Sequence, residues 1–155
     1  MATFPIPTKP GCSYDDKSRG FGAVRPNGRK HAGCDLIALA GTNVLAVEDG
    51  VVINPPYPFG TGAGYVMDVQ HGNRIFRYGE IKKPGLKDPN KLTAGSQVKE
   101  AQVIAQVGTT TYGSMLHLEM YSGENAGPFA TNTLPYKRRS DVKDPAPYLK
   151  NCTLK

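Results

Sequence analysis

The sequence predicts an all-β fold, an antiparallel sandwich or partly closed barrel with little helix. Three observations predict it. The chain is dense in punctuation, with 18 Gly and 13 Pro among 155 residues, and these residues end or interrupt regular elements. Between the breaks lie short runs rich in Val, Ile and Tyr, several of them alternating apolar with polar. No internal repeat and no linker divides the chain, so residues 1–155 read as one domain, long enough to bury a real core.

Residues 1–29 read as a loop-rich N-terminal segment, because Pro5, Pro7, Pro10 and Gly20-Phe21-Gly22 forbid long elements. The run His31-Ala32-Gly33-Cys34-Asp35 follows as a strand, continuing to Leu39. Val44–Val47 and Gly50–Ile53 are β-rich runs around the turn at Glu48-Asp49-Gly50. Residues 54–64, with three Pro and three Gly, read as a loop. Tyr65–Gln70 and Arg74–Ile81 form a hairpin around His71-Gly72-Asn73. Residues 82–95 are a polar loop, Val98–Val107 regains strand character, and 108–113 is a Thr-rich loop. Met115–Tyr121 alternates cleanly, with Met115, His117, Glu119 and Tyr121 on one face and Leu116, Leu118 and Met120 on the other. Residues 123–155 form a loop-rich C-terminal segment whose stretch from Asp144 to Leu149 packs back on the sheet.

The net charge of +6 suits an anionic partner. The basic residues are scattered, without a dense Lys/Arg run interleaved with aromatics, which argues against nucleic acid. Arg25, Arg29 and Lys30 read singly as solvated charge; as a set beside a metal site they would contact an anionic substrate. No apolar run is long enough to span a membrane. Met1–Pro10 lacks the apolar segment of a signal peptide. Of three cysteines, Cys34 reads as core. Cys12 and Cys152 lie near the termini, where a disulfide and free thiols are equally compatible with the sequence. Glu48, Asp49 and Asp68 read as turn or solvated acids.

On an extended strand, His31, Gly33 and Asp35 share a face, and Gly33 leaves the space between the two potential ligands open. The third ligand must come from His71 or His117. His71 sits at a turn, whereas His117 lies on a strand whose other face is core, which favours His117. Two imidazoles and one carboxylate with an open fourth position have the composition of a catalytic zinc site. Glu119, two residues on, reads as support for that site.

The chain resembles the lysostaphin/LytM-type zinc endopeptidases, family twenty-three of the metallopeptidases, which cut peptide cross-links of bacterial peptidoglycan. The resemblance rests on H-A-G-C-D-L at His31–Leu36, G-T-N-V-L-A-V-E-D-G-V-V at Gly41–Val52, V-Q-H-G-N at Val69–Asn73, R-Y-G-E-I at Arg77–Ile81, V-K-E-A-Q-V-I-A-Q-V-G at Val98–Gly108 and L-H-L-E-M-Y at Leu116–Tyr121. Their order and spacing together are specific, and they run from about Arg25 to Tyr148. The resemblance implies zinc held by His31, Asp35 and His117, and peptidoglycan or its stem peptides as the partner of a monomer acting in the periplasm or cell wall. The routes there are phage-borne release, a dedicated secretion system, or a leader absent from this sequence. Two positions depart from the pattern. Met115 stands where the family's H-x-H has its first His, and Glu80 stands where a second auxiliary His follows a Tyr by two residues. A register that made Glu119 the ligand is disfavoured by the match of the L-H-L-E run. One reading gives Glu80 the base role, with Tyr78 on the same strand face stabilising an oxyanion. The alternative is a catalytically degenerate zinc-binding module for wall or protein binding.

Overall fold

The computed structural model describes residues 1–60, 62, 64–88 and 91–155. Thr61, Ala63, Pro89 and Asn90, in the expected loops at 54–64 and 82–95, lie outside the described residues. The fold is built on strands β1 (Cys34–Ile37), β2 (Asn43–Leu45), β3 (Gly50–Pro58), β4 (Tyr65–His71), β5 (Arg74–Ile81), β6 (Gln97–Val98), β7 (Val103–Gln106), β8 (Met115–Tyr121) and β9 (Val142–Lys143). The described helix is α1 (Ala146–Leu149), which no membrane-spanning length approaches. Six strands form an antiparallel sheet in the order β1-β8-β5-β4-β3-β6, and β9 extends the β1 edge by pairing with β8. β2 and β7 form a second, two-stranded sheet, linked to the first by the Ile81–Val107 bridge.

Strand alternation divides the large sheet into two unlike faces. Cys34, Leu36, Met67, Val69, Phe76, Tyr78, Leu116 and Leu118 point to one side. They pack with Val44, Ala46, Ile104 and Val107 from the region of the second sheet, and with Leu149 of α1, into the main core. The segment 144–149 thus does fold back on the sheet. The opposite face carries Asp35, Asp68, Arg77, His117 and Glu119, beside a smaller cluster of Ile75, Tyr121, Phe129 and Val142. Polar side chains in phase on four adjacent strands, β1, β8, β5 and β4, are the local signature of a site.

Three expectations about elements need correction. The strand expected from His31 to Leu39 spans only Cys34–Ile37, so His31 and Gly33 lie before it and the ligands do not share one strand face. β3 runs on to Pro58 through residues read as loop, with register shifts after Val52 and Asn54. β6 pairs with β3 at Gly50 and Val51, so Pro55, Pro56 and Pro58 fall on a free strand edge where no ladder donor is needed. The single run expected at 98–107 is two strands, broken at Ala101, whose φ is 65°. Cys12, Cys34 and Cys152 are all free thiols, with Cys34 in the core.

Candidate metal centre

The cross-strand register builds the centre. Asp35 on β1 lies opposite His117 on β8, and His117 lies opposite Gly79 on β5. His31 approaches from the segment before β1, held by two backbone bonds to Ala23 and Gly22. His117 Nδ1 is 2.8 Å from Asp35 Oδ1 and 3.2 Å from His31 Nε2. His31 Nε2 is 3.1 Å from Asp35 Oδ1. Tetrahedral ligands at zinc distances stand about 3.3 Å apart, so this donor triangle fits one ion with small adjustment. His71, the other candidate imidazole, points into the core. It lies 2.9 Å from the Tyr78 hydroxyl and 3.2 Å from the Asp49 carbonyl.

The outer nitrogens are also committed. His31 Nδ1 donates to the Gly20 carbonyl at 3.0 Å, leaving Nε2 facing the other donors. His117 Nε2 donates to Glu119 Oε1 at 3.0 Å, leaving Nδ1 inward. Such partners set tautomer and ring orientation in metal sites. Burial alone pushes the Asp35 carboxyl up, but the hydrogen bonds from His117 and His31 outweigh it and hold Asp35 well below the usual carboxylate range. Burial alone would lower His117; hydrogen bonds to Asp35 and Glu119 raise it to about 10.

Behind this triangle runs a buried ionic row. Asn54, Asp68, Arg77 and Glu119 occupy matching positions on β3, β4, β5 and β8. Arg77 Nε donates to Asp68 Oδ1 at 2.8 Å, and Asn54 and the Tyr57 hydroxyl both donate to Asp68 Oδ2. Glu119 accepts from Tyr121 at 2.6 Å and pairs with Arg138 at 2.8 Å and Arg77 at 3.5 Å. Asp68 is thus no solvated acid but a buried anion matched to Arg77. The alternation of β4, β5 and β8 carried the signal for Asp68 and Arg77. Nothing in the tail marked Arg138, because its role depends on a loop returning to β8.

The role of Gly33 differs from the expected one. A Cβ on Gly33 would stand 2.3 Å from the Leu118 carbonyl oxygen, so Gly33 lets β8 approach and does not leave space above the ligands. Gly79 faces the imidazole instead; its Cβ would lie 3.4 Å from His117 Cδ2.

Tyr78 and Glu80 do not share a face. Tyr78 is fully buried on the core side, where its hydroxyl accepts from the Val47 N–H and meets His71, so it stabilises no oxyanion in the cleft. Glu80 has a φ of 59° at a bulge between the Tyr65–Ile81 and Val66–Gly79 pairs. That left-handed residue breaks the alternation and turns Glu80 into the cleft. There it lines a cavity of about 810 Å³ with His31, Asp35, Met115 and His117. Burial pushes its carboxyl up to about 7, opposed by the His117 charge, and Oε2 is buried without a hydrogen-bond partner among the described residues.

The chain is thus an all-β protein with a His-Asp-His donor set, able to hold a metal ion, in a cleft. Residues 29–128 match the profile of Peptidase family M23, and the chain belongs to that family. The glycyl-glycine endopeptidase ALE-1 of Staphylococcus capitis is 28% identical over 139 residues, covering 87% of this chain and 34% of that protein. An uncharacterized metalloprotease of Buchnera aphidicola is 30% identical over 121 residues, covering 76% and 30%. The chain therefore spans about a third of the length of these relatives. The catalytic domain of the antimicrobial peptidase lysostaphin from Staphylococcus simulans shares the fold, with a TM-score of 0.64, 23% identity, and coverage of 85% of this chain and 90% of that one. LytU does so at a TM-score of 0.62 and 22% identity, covering 88% and 85%.

Proposed function

We propose that this chain is a zinc-dependent endopeptidase that cuts peptide cross-links of bacterial peptidoglycan. The observation that carries this reading is the donor triangle of His31 Nε2, Asp35 Oδ1 and His117 Nδ1, its tautomers set from outside, with Glu80 in the same cleft. These three residues would hold the ion. When bound, zinc supplies Lewis-acid activation of water and of the scissile carbonyl. Glu80 accepts the proton from the attacking water and returns it to the leaving amine, a role suited to a carboxyl pushed up to about 7 by burial. Glu119 keeps the His117 ring turned inward. The similarity to the glycyl-glycine endopeptidase ALE-1 supports a peptide-bond substrate. Action on peptidoglycan places the protein in the periplasm or cell wall, where its net charge of +6 favours an anionic surface.

Met115 favours a second reading. It lines the cleft beside His117 and carries no proton-transfer group, as a zinc-binding module without turnover would allow. Digestion of purified peptidoglycan by the zinc-loaded protein, with His117→Ala as control and mass spectrometry of the released muropeptides, separates the two. New peptide ends that vanish in the control establish the peptidase. Absence of release with one equivalent of zinc bound establishes the binding module.

A further inference from the structure

We propose that Arg29, Lys30 and Lys137 form a carboxylate-recognition subsite beside the metal centre, so that the substrate is a cross-link peptide bearing a free carboxylate close to the scissile bond and not a neutral glycine bridge. The proposal rests on the peptidase reading above and narrows its substrate.

The cleft is lined by six cationic side chains, Arg25, Arg29, Lys30, Arg77, Lys137 and Arg138, against three acids, Asp35, Glu80 and Glu119. Most of these charges are spent inside the protein. Arg77 serves Asp68 and Glu119, and Arg138 serves Glu119. Arg25 donates to the Ser18 carbonyl at 2.9 Å and reaches to 3.9 Å from Asp35. Asp35 is engaged by two imidazoles. Arg29, Lys30 and Lys137 remain exposed, and no carboxylate among the described residues lies within ion-pairing distance of them. Outside the cleft, Lys99 pairs with Asp49, Lys150 with Asp15, and Arg19 with Asp16, whereas Lys143 is exposed like the rim cations and is in no ion pair among the described residues.

The free cations sit on a braced rim. Arg29 and Lys30 close a turn through Asn27 and Gly28, both at positive φ, and the Arg25 N–H donates to the Arg29 carbonyl at 2.9 Å. The Lys30 N–H donates to the Pro135 carbonyl at 2.7 Å, and Phe21 stacks on Tyr136 at 4.6 Å, so this turn is docked on the segment carrying Lys137. Lys137 is itself held at a φ of 53° by its N–H bond to the Thr133 carbonyl. Gathering like charges on one rim costs Coulomb energy that an anion from outside would relieve. Because the rim borders the cleft holding the donor triangle, that anion belongs within reach of the bond to be cut. A carboxylate matches the planar fork of Arg29 and the point charges of the lysines.

The test uses the zinc-loaded protein and two probes: a soluble cross-linked stem-peptide dimer with free carboxylates, and the same dimer with those carboxylates amidated. Cleavage rates and dissociation constants are both measured. The expected preference for the acid form is about tenfold, the size of one charge-assisted contact. It should reside in KM, shrink with added salt, collapse in the Arg29→Gln/Lys137→Gln double variant, and persist in Lys143→Gln, a cation outside the cleft. Equal cleavage and equal binding of both probes overturn the subsite while leaving the peptidase intact. If neither probe is cut, the peptidase reading fails on its own. The subsite then stands on a Kd preference for the acid form and falls without one.

Discussion

His117 and Glu119 lie two residues apart on β8 and face each other, with the imidazole Nε2 donating to the carboxylate Oε1 at 3.0 Å. Same-face neighbours along a strand rarely need each other; here the carboxylate is the fixed member, clamped by Tyr121, Arg138 and Arg77. Glu119→Gln keeps the shape and removes the charge. We expect zinc affinity to fall about 10- to 100-fold, measured by competition with a chelator, while the zinc stoichiometry stays at one. An unchanged affinity would show that the His117 tautomer is set without Glu119.

Zinc binding should release a proton. His117, raised to about 10 by its hydrogen bonds to Asp35 and Glu119 against the opposing effect of burial, is doubly protonated in the metal-free protein at neutral pH. Coordination through Nδ1 requires that proton to leave. Calorimetry at pH 7.5 in buffers of different ionisation enthalpy should give about one proton released per zinc, with affinity rising as pH rises. Binding without proton release would mean that the site opens with His117 already neutral.

Glu80 links activity to pH and stability. Burial holds its carboxyl at about 7, above the value of about 4.3 in an unfolded chain. A raised folded value means that the neutral form is favoured by folding. The contribution is complete below about pH 4.3 and is lost as pH rises through about 7. Metal-free Glu80→Gln should therefore equal the wild type near pH 4 and exceed it by ~1 kcal/mol at pH 8.5, after allowance for partial exposure. Urea unfolding at both pH values reads this. The same substitution should cut kcat by about 100- to 10,000-fold with zinc content unchanged.

Gly33 and Gly79 should tolerate alanine differently. At Gly33 the added Cβ meets the Leu118 carbonyl oxygen at 2.3 Å, a backbone atom that cannot yield without moving β8. We expect Gly33→Ala to cost about 3 kcal/mol or more and to lower the thermal midpoint by ten degrees or so. At Gly79 the nearest atom is the His117 carbonyl at 3.2 Å, so Gly79→Ala should cost ~1 kcal/mol but tilt the imidazole and weaken zinc binding. Thermal denaturation of the two metal-free variants, followed by zinc titration, distinguishes the effects.

The residues of the donor set were legible in the chain because each lies in a pattern of period two or at a fixed offset within it. His117 and the core residues Leu116 and Leu118 announce their faces by alternation, and His31 and Asp35 flank the start of β1 at a four-residue spacing. The all-β class followed from the density of Gly and Pro for the same local reason. What alternation could not supply was any residue where the period breaks. The resemblance points to Glu80 and strict alternation puts Tyr78 on the same face, yet the bulge at φ 59° sends Glu80 into the cleft and leaves Tyr78 in the core. Gly33 makes room for β8 and Gly79 faces the His117 ring because the partner of a glycine is a neighbouring strand, which sequence spacing does not name. Arg138 and the basic rim likewise depend on where the 123–139 segment returns to the sheet. Local periodicity determines which side chains share a face; only the packing of strands and loops distant in sequence determines what that face is brought against.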